Sequence, residues 1–281
     1  MTEHPGTGQA KTKRLRDVLH GVLAEQGGVA IAVSGGVDSM TLSSFAHRLG
    51  AGDDVRMIHA LSPAVPRAAT ARVRALAKAE NWRLDIIDAG EFADERYRAN
   101  PVNRCFFCKT NLYQSLGAMT AGVLLSGTNT DDLGDYRPGL EAAADNAVRH
   151  PYVEAGLAKA DVRALAHQMG LPELAELPAS PCLASRVETG LRIMPADMAL
   201  IDGVENWLRR ELQPDTVRCR LRSGGIVIEL DPETLQALPR DRRAAVLDAL
   251  QDQIGHTGDR PIEIAAYRRG SAFVHPNEAA G

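Results

Sequence analysis

Long apolar runs, aromatic residues and an excess of either charge are missing or scarce in this sequence. No apolar run approaches the roughly 20 residues that a membrane-spanning helix requires. Aromatic residues make up only 4% of the chain, so we expect a core of Leu, Val, Ile and Ala. The formal net charge of -4 argues against a protein whose main task is to bind nucleic acid through a large basic surface. Because residues 1–8 lack the apolar stretch of a signal peptide, we expect a cytoplasmic globular protein.

Cysteine is scarce as well, with four residues in a chain of 281. They are Cys105, Cys108, Cys182 and Cys219. In a reducing cytoplasm, catalytic or metal-binding roles are more plausible for them than disulfide bonds. Cys105 and Cys108 form one Cys-x-x-Cys pair, and the lack of a second such pair argues against a closed four-cysteine zinc site.

Three of these cysteines have the sequence context of reactive thiols. Cys105 and Cys108 are flanked by two cations at the start of an expected helix, and both features favour thiolates. Together with Cys182 they form a set of three thiolates, which can hold a [4Fe-4S] cluster with one iron open to an extra sulfide. A dithiol that exchanges with a persulfide is a second interpretation, and buried structural cysteines are a third. The structural interpretation is favoured for Cys219, which alternates with two arginines on an expected strand.

Short apolar runs alternate with helical patterns over the first two-thirds of the chain. The runs predict a buried strand at residues 29–33 and further strands at residues 55–61, 84–87 and 123–125. Apolar residues at helical spacing follow them. This alternation predicts an α/β fold in which helices cover both faces of a parallel sheet.

Beyond about residue 189 the pattern changes to that of a smaller α+β module. Short runs on either side of Ser223-Gly224-Gly225 predict a β-hairpin, and a helix and a final strand should follow. We therefore expect four segments. They are a disordered tail (residues 1–13), a larger domain (14–190), a C-terminal α+β domain for substrate and subunit contacts (191–275) and a final tail (276–281).

The clearest functional signal lies between the first expected strand and the helix that follows it. This loop consists of Ser34, Gly35, Gly36, Val37, Asp38 and Ser39. Its glycines allow a sharp turn and a close backbone approach, and the amides at the start of the helix form an anion site. No lysine follows the glycines, which excludes a Walker A loop. Small donors suit a leaving pyrophosphate instead, which indicates ATP as a substrate and attack at its α-phosphate. An ordinary strand-to-helix turn is the alternative.

Charged residues elsewhere are candidates for the remaining contacts of such a site. The candidate Mg²⁺ ligands, which follow the strand at residues 123–125, are Asp131, Asp132 and Asp135. Mg²⁺ on ATP needs few carboxylates besides water, and a solvated turn is the alternative role for this cluster. The candidates for binding a phosphate or carboxylate of the substrate are Arg137, Arg186, Arg218 and Arg220, because guanidinium groups bind both in bidentate fashion.

The loop of residues 34–39 is similar to the PP-loop of the N-type ATP pyrophosphatases, which include GMP synthetase, NAD synthetase and tRNA thiolases. Within that superfamily the chain resembles the LarE family, ATP-dependent sulfurtransferases of nickel-pincer cofactor synthesis. The matching stretches are residues 34–39, 100–109, 127–139, 178–186 and 267–271. The resemblance implies a PP-loop domain of the adenine nucleotide alpha hydrolase type followed by a smaller α+β domain. It also implies a nucleotide site that includes Gly127, Thr128 and Asn129.

The resemblance further implies a reaction. ATP adenylates a carboxylate of pyridinium-3,5-biscarboxylic acid mononucleotide, and sulfur then displaces AMP to give a thiocarboxylate. In one branch of the family, the cysteine at the position of Cys182 gives up its sulfur and becomes dehydroalanine. In another, cysteines at the positions of Cys105, Cys108 and Cys182 bind a [4Fe-4S] cluster that carries the sulfide. The presence of all three favours the cluster branch. A homo-hexamer and an external sulfide source are the partners that the resemblance implies.

Three other functions fit parts of this pattern. A PP-loop tRNA thiolase would use the same loop and three cysteines, but it should carry an RNA-binding module or zinc ribbons and a basic face, which the sequence lacks. An ammonia-using amidotransferase would leave the three cysteines unexplained. A cofactor-binding or iron–sulfur carrier would not catalyse ATP–pyrophosphate exchange.

Overall fold

The computed structural model of the protein describes residues 5–25, 28–50, 55–134, 138–254 and 260–273. The strands are β1 (Val29–Ala32), β2 (Val55–Leu61), β3 (Arg83–Asp88), β4 (Val123–Leu125), β5 (Val217–Arg222), β6 (Gly225–Leu230) and β7 (Ile262–Ala266). The helices are α1 (Pro5–Leu23), α2 (Val37–Leu49), α3 (Arg67–Glu80), α4 (Glu95–Arg98), α5 (Arg104–Gly117), α6 (Pro138–Asp145), α7 (Pro151–Ala155), α8 (Lys159–Gln168), α9 (Pro172–Ala175), α10 (Pro195–Leu212), α11 (Pro232–Ala237) and α12 (Arg240–Ile254).

The chain divides into two compact units. The N-terminal unit consists of Met1–Glu91 and Asn103–Ser180, and the C-terminal unit consists of Phe92–Val102 and Pro181–Gly281. No helix in the described ranges has both the length and the apolar character needed to cross a membrane.

The N-terminal unit contains a parallel sheet in the order β3-β2-β1-β4. Val29 of β1 pairs with Val55 of β2 on one side and with Val123 of β4 on the other. The carboxyl ends of the described strands therefore meet at one edge of the sheet. This arrangement confirms the predicted α/β class.

Alternate residues of β1 point to opposite faces of this sheet and enter two separate apolar clusters. Val29 and Ile31 belong to a large cluster that includes residues of α1, α2, α3 and α8. Ala30 belongs to a smaller one with residues of α5 and α6. Helices thus cover both faces, as predicted. The buried side chains are mostly aliphatic, in agreement with the low aromatic content.

The C-terminal unit contains a mixed sheet in the order β5-β6-β7. β5 and β6 are antiparallel, and Arg222 pairs with Gly225 across the two-residue turn between them. β7 runs parallel to β6. α10 buries an apolar face in this unit. The predicted hairpin and α+β module are therefore confirmed.

The first helix starts earlier than the sequence pattern predicts. Residues 1–13 are polar and were expected to be a tail, yet α1 begins at Pro5. Leu15 and Leu19 bury the apolar face of this helix. Upstream of that face, Lys11 forms an ion pair of 2.7 Å with Asp161. Because this partner lies 150 residues away, local composition does not reveal it.

The division between the units also differs from the expected boundary at residue 190. Residues 92–102 belong to the C-terminal unit, and the second crossing falls after residue 180. The buried side chain of Asn100 explains the first difference, since its Nδ2 donates to the Glu188 carbonyl at 2.8 Å. The backbone carbonyl of Asn100 accepts from the Gly190 amide at 2.9 Å. The expected tail at residues 276–281 lies outside the described residues.

His59 of β2 connects the end of β1 to α3. Its Nδ1 lies 2.7 Å from the Val33 carbonyl oxygen and its Nε2 lies 2.9 Å from Thr70 Oγ1. Because a carbonyl only accepts, Nδ1 carries the proton and Nε2 accepts from the Thr70 hydroxyl. Burial lowers the pKa of His59 below its ordinary value of 6.5, and this outweighs the opposing effect of the Val33 hydrogen bond. The ring is therefore neutral in the folded protein.

Acid should destabilise the protein through His59. In the unfolded chain its imidazole takes up a proton near pH 6.5, whereas the folded chain takes it up only at lower pH. The free energy of unfolding should therefore fall as the pH drops below about 6.5. His59→Gln should reduce this dependence, measured by urea denaturation between neutral and mildly acidic pH. The exposed His20→Gln is the control, and equal pH dependence in the two variants would contradict the role of His59.

Candidate functional site

The loop of residues 34–39 joins β1 to α2, as the sequence predicts. Gly35 has a φ of 82°, and a Cβ at this position would lie 2.7 Å from the Ala69 carbonyl oxygen. Both the left-handed backbone and the lack of space therefore require glycine. The Gly35 carbonyl accepts from Arg72 Nη1 at 2.6 Å, which ties the loop to α3.

The hydroxyl of Ser39 closes this loop on itself. Its Oγ accepts from the Ser34 amide at 3.1 Å, lies 3.1 Å from Ser34 Oγ and donates to the Gly36 carbonyl at 3.3 Å. Gly36 is the N-cap of α2 and offers no side chain to accept from its first-turn amides. The positive end of the α2 dipole is thus available to an anion at the carboxyl edge of the sheet.

The segment after β4 packs directly against the start of α2. A Cβ at Gly127 would lie 2.8 Å from the Ser39 amide nitrogen. Asn129 is buried, and its Nδ2 donates to Asp38 Oδ1 at 3.3 Å. The nearby hydroxyl of Thr128 lies 3.0 Å from Ser126 Oγ. The fold therefore brings the two predicted nucleotide-binding segments together.

Lys159 is a member of this site that the sequence analysis missed. Its Nζ donates to Asp38 Oδ2 at 2.5 Å, and its backbone amide donates to Asp131 Oδ2 at 3.1 Å. Lys159 is the first residue of α8, where the helix dipole disfavours a cation. Because a cation is disfavoured at the start of a helix, the lysine there was the feature of the sequence that could have identified Lys159 as a site residue.

The predicted Mg²⁺ ligands have structural hydrogen bonds. Asp132 Oδ2 accepts from the Asn129 amide at 3.1 Å, and Asn129 Oδ1 accepts from the Asp131 amide at 3.0 Å. These bonds shape the turn that follows Asn129. Asp135 and Arg137 lie outside the described residues. Within the described ranges, no group of three or more His, Cys, Asp or Glu residues is placed to hold a metal ion.

An open groove of about 800 Å³ lies at the same edge of the sheet, beyond the ends of β2 and β3. The side chains that line it are Leu61, Ser62, Pro63, Val65, Arg67, Thr70, Ala71, Arg74, Ile86, Ile87 and Asp88. Its walls combine aliphatic side chains with two arginines and one carboxylate. The sequence analysis missed this groove because its residues come from three elements without a shared local motif.

The cysteines have the expected accessibilities. Cys105, on the first turn of α5, is exposed, and Cys108 on the next turn is half-buried. Residues three apart share one face of a helix. Cys182 is exposed in the C-terminal unit and directly precedes the short 3-10 helix Leu183–Arg186. Cys219 is fully buried, and burial raises the pKa of its thiol far above the ordinary range.

The predicted substrate-binding arginines are largely engaged within the C-terminal unit. Arg186 is buried and forms a two-pronged ion pair with Glu205. Arg220 is also buried, and its Nε donates to Glu229 at 2.9 Å. The Arg218 guanidinium is half-buried and lies 5.8 Å from the centre of the Tyr267 ring. The sequence pattern could not show that two of these cations have buried carboxylate partners.

Comparison with known proteins adds to this geometry. No protein-family model matches the chain. It is 35% identical to the uncharacterized protein slr1717 of Synechocystis sp. over 215 residues. The aligned residues make up 75% of this chain and 79% of the relative. It is 29% identical over 206 residues to the pyridinium-3,5-bisthiocarboxylic acid mononucleotide synthase of Lactiplantibacillus plantarum, which covers 72% of this chain and 74% of the relative. The uncharacterized protein MJ0830 of Methanocaldococcus jannaschii is 26% identical over 209 residues, with 73% and 78% covered.

The chain belongs to the LarE family. Two of the LarE-like stretches, residues 34–39 and 127–134, lie together at the carboxyl edge of the parallel sheet. Two others contact the same Arg220–Glu229 pair in the C-terminal unit, where Ser271 Oγ donates to Glu229 Oε1 at 2.5 Å and Arg220 Nη1 donates to the Ser185 carbonyl at 3.0 Å. Parts of four of the five LarE-like stretches are thus placed together at two positions, one in each unit.

Gly127→Ala should disturb the nucleotide-site segments of this LarE-family protein. The added methyl group would collide with the backbone of α2 at Ser39, and such overpacking costs about 1–3 kcal/mol of stability. Gly134→Ala is a matched control, since a Cβ there would meet nothing within 4 Å. Urea denaturation measures the free energy of unfolding, and equal stability of the two variants would contradict the close packing at Gly127.

Proposed function

We propose that this protein is an ATP-dependent sulfurtransferase of nickel-pincer cofactor synthesis. In this proposal it adenylates a carboxylate of pyridinium-3,5-biscarboxylic acid mononucleotide and converts it to a thiocarboxylate. The Lactiplantibacillus plantarum relative, a pyridinium-3,5-bisthiocarboxylic acid mononucleotide synthase, supports the substrate class. The observation that carries the proposal is the loop at the head of α2, where Ser39 and Gly127 hold the first-turn amides at an edge suited to an anion.

The loop and the groove provide complementary surfaces for ATP. The amides of α2 and the hydroxyls of Ser34 and Ser39 would bind the pyrophosphate portion as it leaves. The groove beyond β2 and β3 would receive the nucleoside, with Leu61 and Ile86 offering apolar contacts. His59 supports this arrangement, because its two hydrogen bonds connect the end of β1 to α3 beside the groove.

Lys159 and Asp38 would exchange partners when nucleotide binds. Their side chains are about one-third and one-quarter exposed, so both can reach a ligand at the loop. The ammonium of Lys159 would then donate to a phosphate oxygen and stabilise the charge that develops on pyrophosphate. Asp38, released from the ion pair, would become available to Mg²⁺, with Asp131, Asp132 and Asp135 as further candidates.

The thiols would supply the sulfur chemistry. Cys105, Cys108 and Cys182 have at least partial solvent access, and cysteine sulfur is the usual protein ligand of an iron–sulfur cluster. A [4Fe-4S] cluster on these residues would supply sulfide to the acyl-adenylate. Sulfide supplied in this way would attack the carbonyl carbon and break its bond to AMP, which would leave with the bonding electrons. An external sulfide source would then restore the donor.

The same thiol supports a sacrificial alternative. The Cys182 thiolate would attack the acyl-adenylate and release AMP, leaving a thioester between enzyme and substrate. Removal of the Cys182 Cα proton would then break the Cβ–Sγ bond, giving the thiocarboxylate and dehydroalanine. The two routes differ in what happens to the mass of the protein.

The remaining contacts of the substrate are also proposals. Arg218 remains a candidate for its phosphate or carboxylate, and its guanidinium lies 5.8 Å from the centre of the Tyr267 ring, whereas Arg186 and Arg220 pair with buried carboxylates. A homo-oligomer, of six subunits by family resemblance, would be the working assembly.

Lys159→Met should impair adenylation. Removing one charged donor to the developing pyrophosphate should slow ATP–pyrophosphate exchange, measured with the mononucleotide substrate, by about 100-fold. Lys11→Met is the matched control, because it removes a lysine of α1 that pairs with Asp161, a carboxylate of α8. Equal exchange rates in the two variants would rule out a role for Lys159 at the phosphates.

Cys182→Ala should separate the two half-reactions. Exchange of pyrophosphate into ATP should continue, because the loop lies in the N-terminal unit, whereas thiocarboxylate formation should stop. Cys219→Ala, which removes the buried thiol, should preserve both. A Cys182→Ala variant that forms thiocarboxylate at the wild-type rate would refute the assignment of that thiol.

Purification without oxygen, followed by one turnover, distinguishes the sulfur sources. Bound iron with an unchanged protein mass would support the cluster route. A mass loss of one H₂S at Cys182 would support the sacrificial route. Absence of exchange in the wild-type protein would overturn the proposed function itself.

A further inference from the structure

Arg186 and Glu205 form an ion pair inside the C-terminal unit. Both side chains are 1% exposed. Arg186 Nε donates to Glu205 Oε1 at 2.9 Å, and Nη2 donates to Oε2 at 3.0 Å. Burial raises the pKa of Glu205, but the hydrogen bond and charge of Arg186 outweigh it, so that the pKa lies below 4.5. The carboxylate is therefore ionised.

A buried ion pair adds little net free energy to the stability of a fold. Desolvation of two charges offsets much of their attraction, and apolar side chains of similar volume often stabilise a core equally well. A buried Arg–Glu pair is better explained by a geometric role. The bonds to Glu205 use one edge of the guanidinium, and Nη1 donates along the other edge.

The edge of the Arg186 guanidinium that faces away from Glu205 holds the backbone around Cys182. Arg186 Nη1 lies 2.7 Å from the Pro181 carbonyl oxygen, 3.1 Å from the Cys182 carbonyl oxygen and 3.1 Å from Ser185 Oγ. The Cys182 carbonyl also accepts from Ser185 Oγ at 2.8 Å and from the Ser185 amide at 3.0 Å. Three donors therefore converge on one carbonyl oxygen beside an exposed thiol.

Glu205 in turn is held by the core of the unit. Its Oε1 accepts from the buried amide of Cys219 at 3.1 Å, and its Oε2 accepts from Arg209 Nη2 at 2.8 Å. The contact with β5 fixes the carboxylate, the carboxylate fixes the Arg186 fork, and the fork fixes the peptide at Cys182. Rotation about χ1 is then the main freedom left to the thiol.

We infer that Arg186 and Glu205 are positioning residues for the Cys182 thiol. They touch neither the thiol sulfur nor, in the proposed reaction, the reacting atoms. They hold the backbone so that an exposed side chain on a short connecting segment keeps one direction. The consequence for sulfur transfer rests on the proposed function, whereas the positioning itself does not.

The test uses a variant that can fold without the ion pair. Arg186→Met combined with Glu205→Met replaces both charges by apolar side chains of similar length, so the protein should still fold, and the loss of the Glu205 acceptor for the Cys219 amide is the remaining cost to stability. In this variant the carbonyls of residues 181 and 182 lose the donor that Arg186 provides, while the Cys182 carbonyl keeps those of Ser185. Arg209→Ala is the control, because it removes the solvent-side cation from the same carboxylate.

Amide hydrogen exchange is the first measurement. In the folded double variant the Ser185 amide should exchange at least about 10-fold faster than in Arg209→Ala, since the turn that it closes has lost its support. Amides of β5 and β6 should be unchanged, except that of Cys219, which loses its Glu205 acceptor. Wild-type protection at Ser185 would overturn the inference.

Single-turnover sulfur transfer is the second measurement. At saturating substrate the rate of thiocarboxylate formation should fall by about 10- to 100-fold, as expected for a misdirected reactive group, while ATP–pyrophosphate exchange stays unchanged. Wild-type transfer in a variant with a loosened Ser185 would show that the positioning has no catalytic consequence, and would overturn that part. If the proposed function is wrong, the wild type will transfer no sulfur either, and hydrogen exchange alone decides whether the pair positions Cys182.

Arg186→Lys provides a stricter comparison. Lysine retains the positive charge beside Glu205 but lacks the second edge of the guanidinium. Its Ser185 amide should exchange as fast as in the double variant. Retained protection would show that charge, rather than the planar fork, supports the segment.

Discussion

Three parts of the N-terminal unit converge on Asp38. One carboxylate oxygen accepts from Lys159 of α8 and the other from Asn129 after β4, while the Asp38 carbonyl accepts from the Tyr152 hydroxyl at 3.1 Å. These bonds draw distant segments against the first turn of α2. The loop at the head of that helix keeps its shape because its surroundings are held from several sides, and the proposed adenylation chemistry depends on that shape.

The ion pairs of the two units differ in their exposure to solvent. At the loop of residues 34–39, a cation and a carboxylate remain partly exposed, so their pairing can give way to a charged ligand. In the C-terminal unit, Arg186 and Arg220 pair with carboxylates that are almost completely buried. Exchange of partners is costly there, because removing one member leaves a buried charge uncompensated. Exposed pairs suit binding, and buried pairs suit the fixed placement of a backbone.

Elements with a strong local pattern were predictable. The expected strands at residues 55–61 and 123–125 agree with β2 and β4, because β4 is a continuous apolar run, as expected for a strand buried in a parallel sheet, and most residues of β2 are apolar. The start of α1 was not predictable, since its first residues are polar and an ion pair far along the chain accompanies them. Residues 92–102 have no periodic pattern, and backbone pairing with the segment around residue 190 places them in the C-terminal unit.

The sequence by itself determined the glycine loop between β1 and α2 and the α/β class, because each depends on neighbouring residues or on a short repeat. Only the tertiary structure decided that Lys159 reaches Asp38 across 121 positions and that Arg186 is directed at Glu205 rather than at a ligand. A charged side chain has the same appearance in a sequence whether its partner is solvent, substrate or a buried carboxylate. The path of the backbone selects among them, and that path is the sum of many long-range contacts.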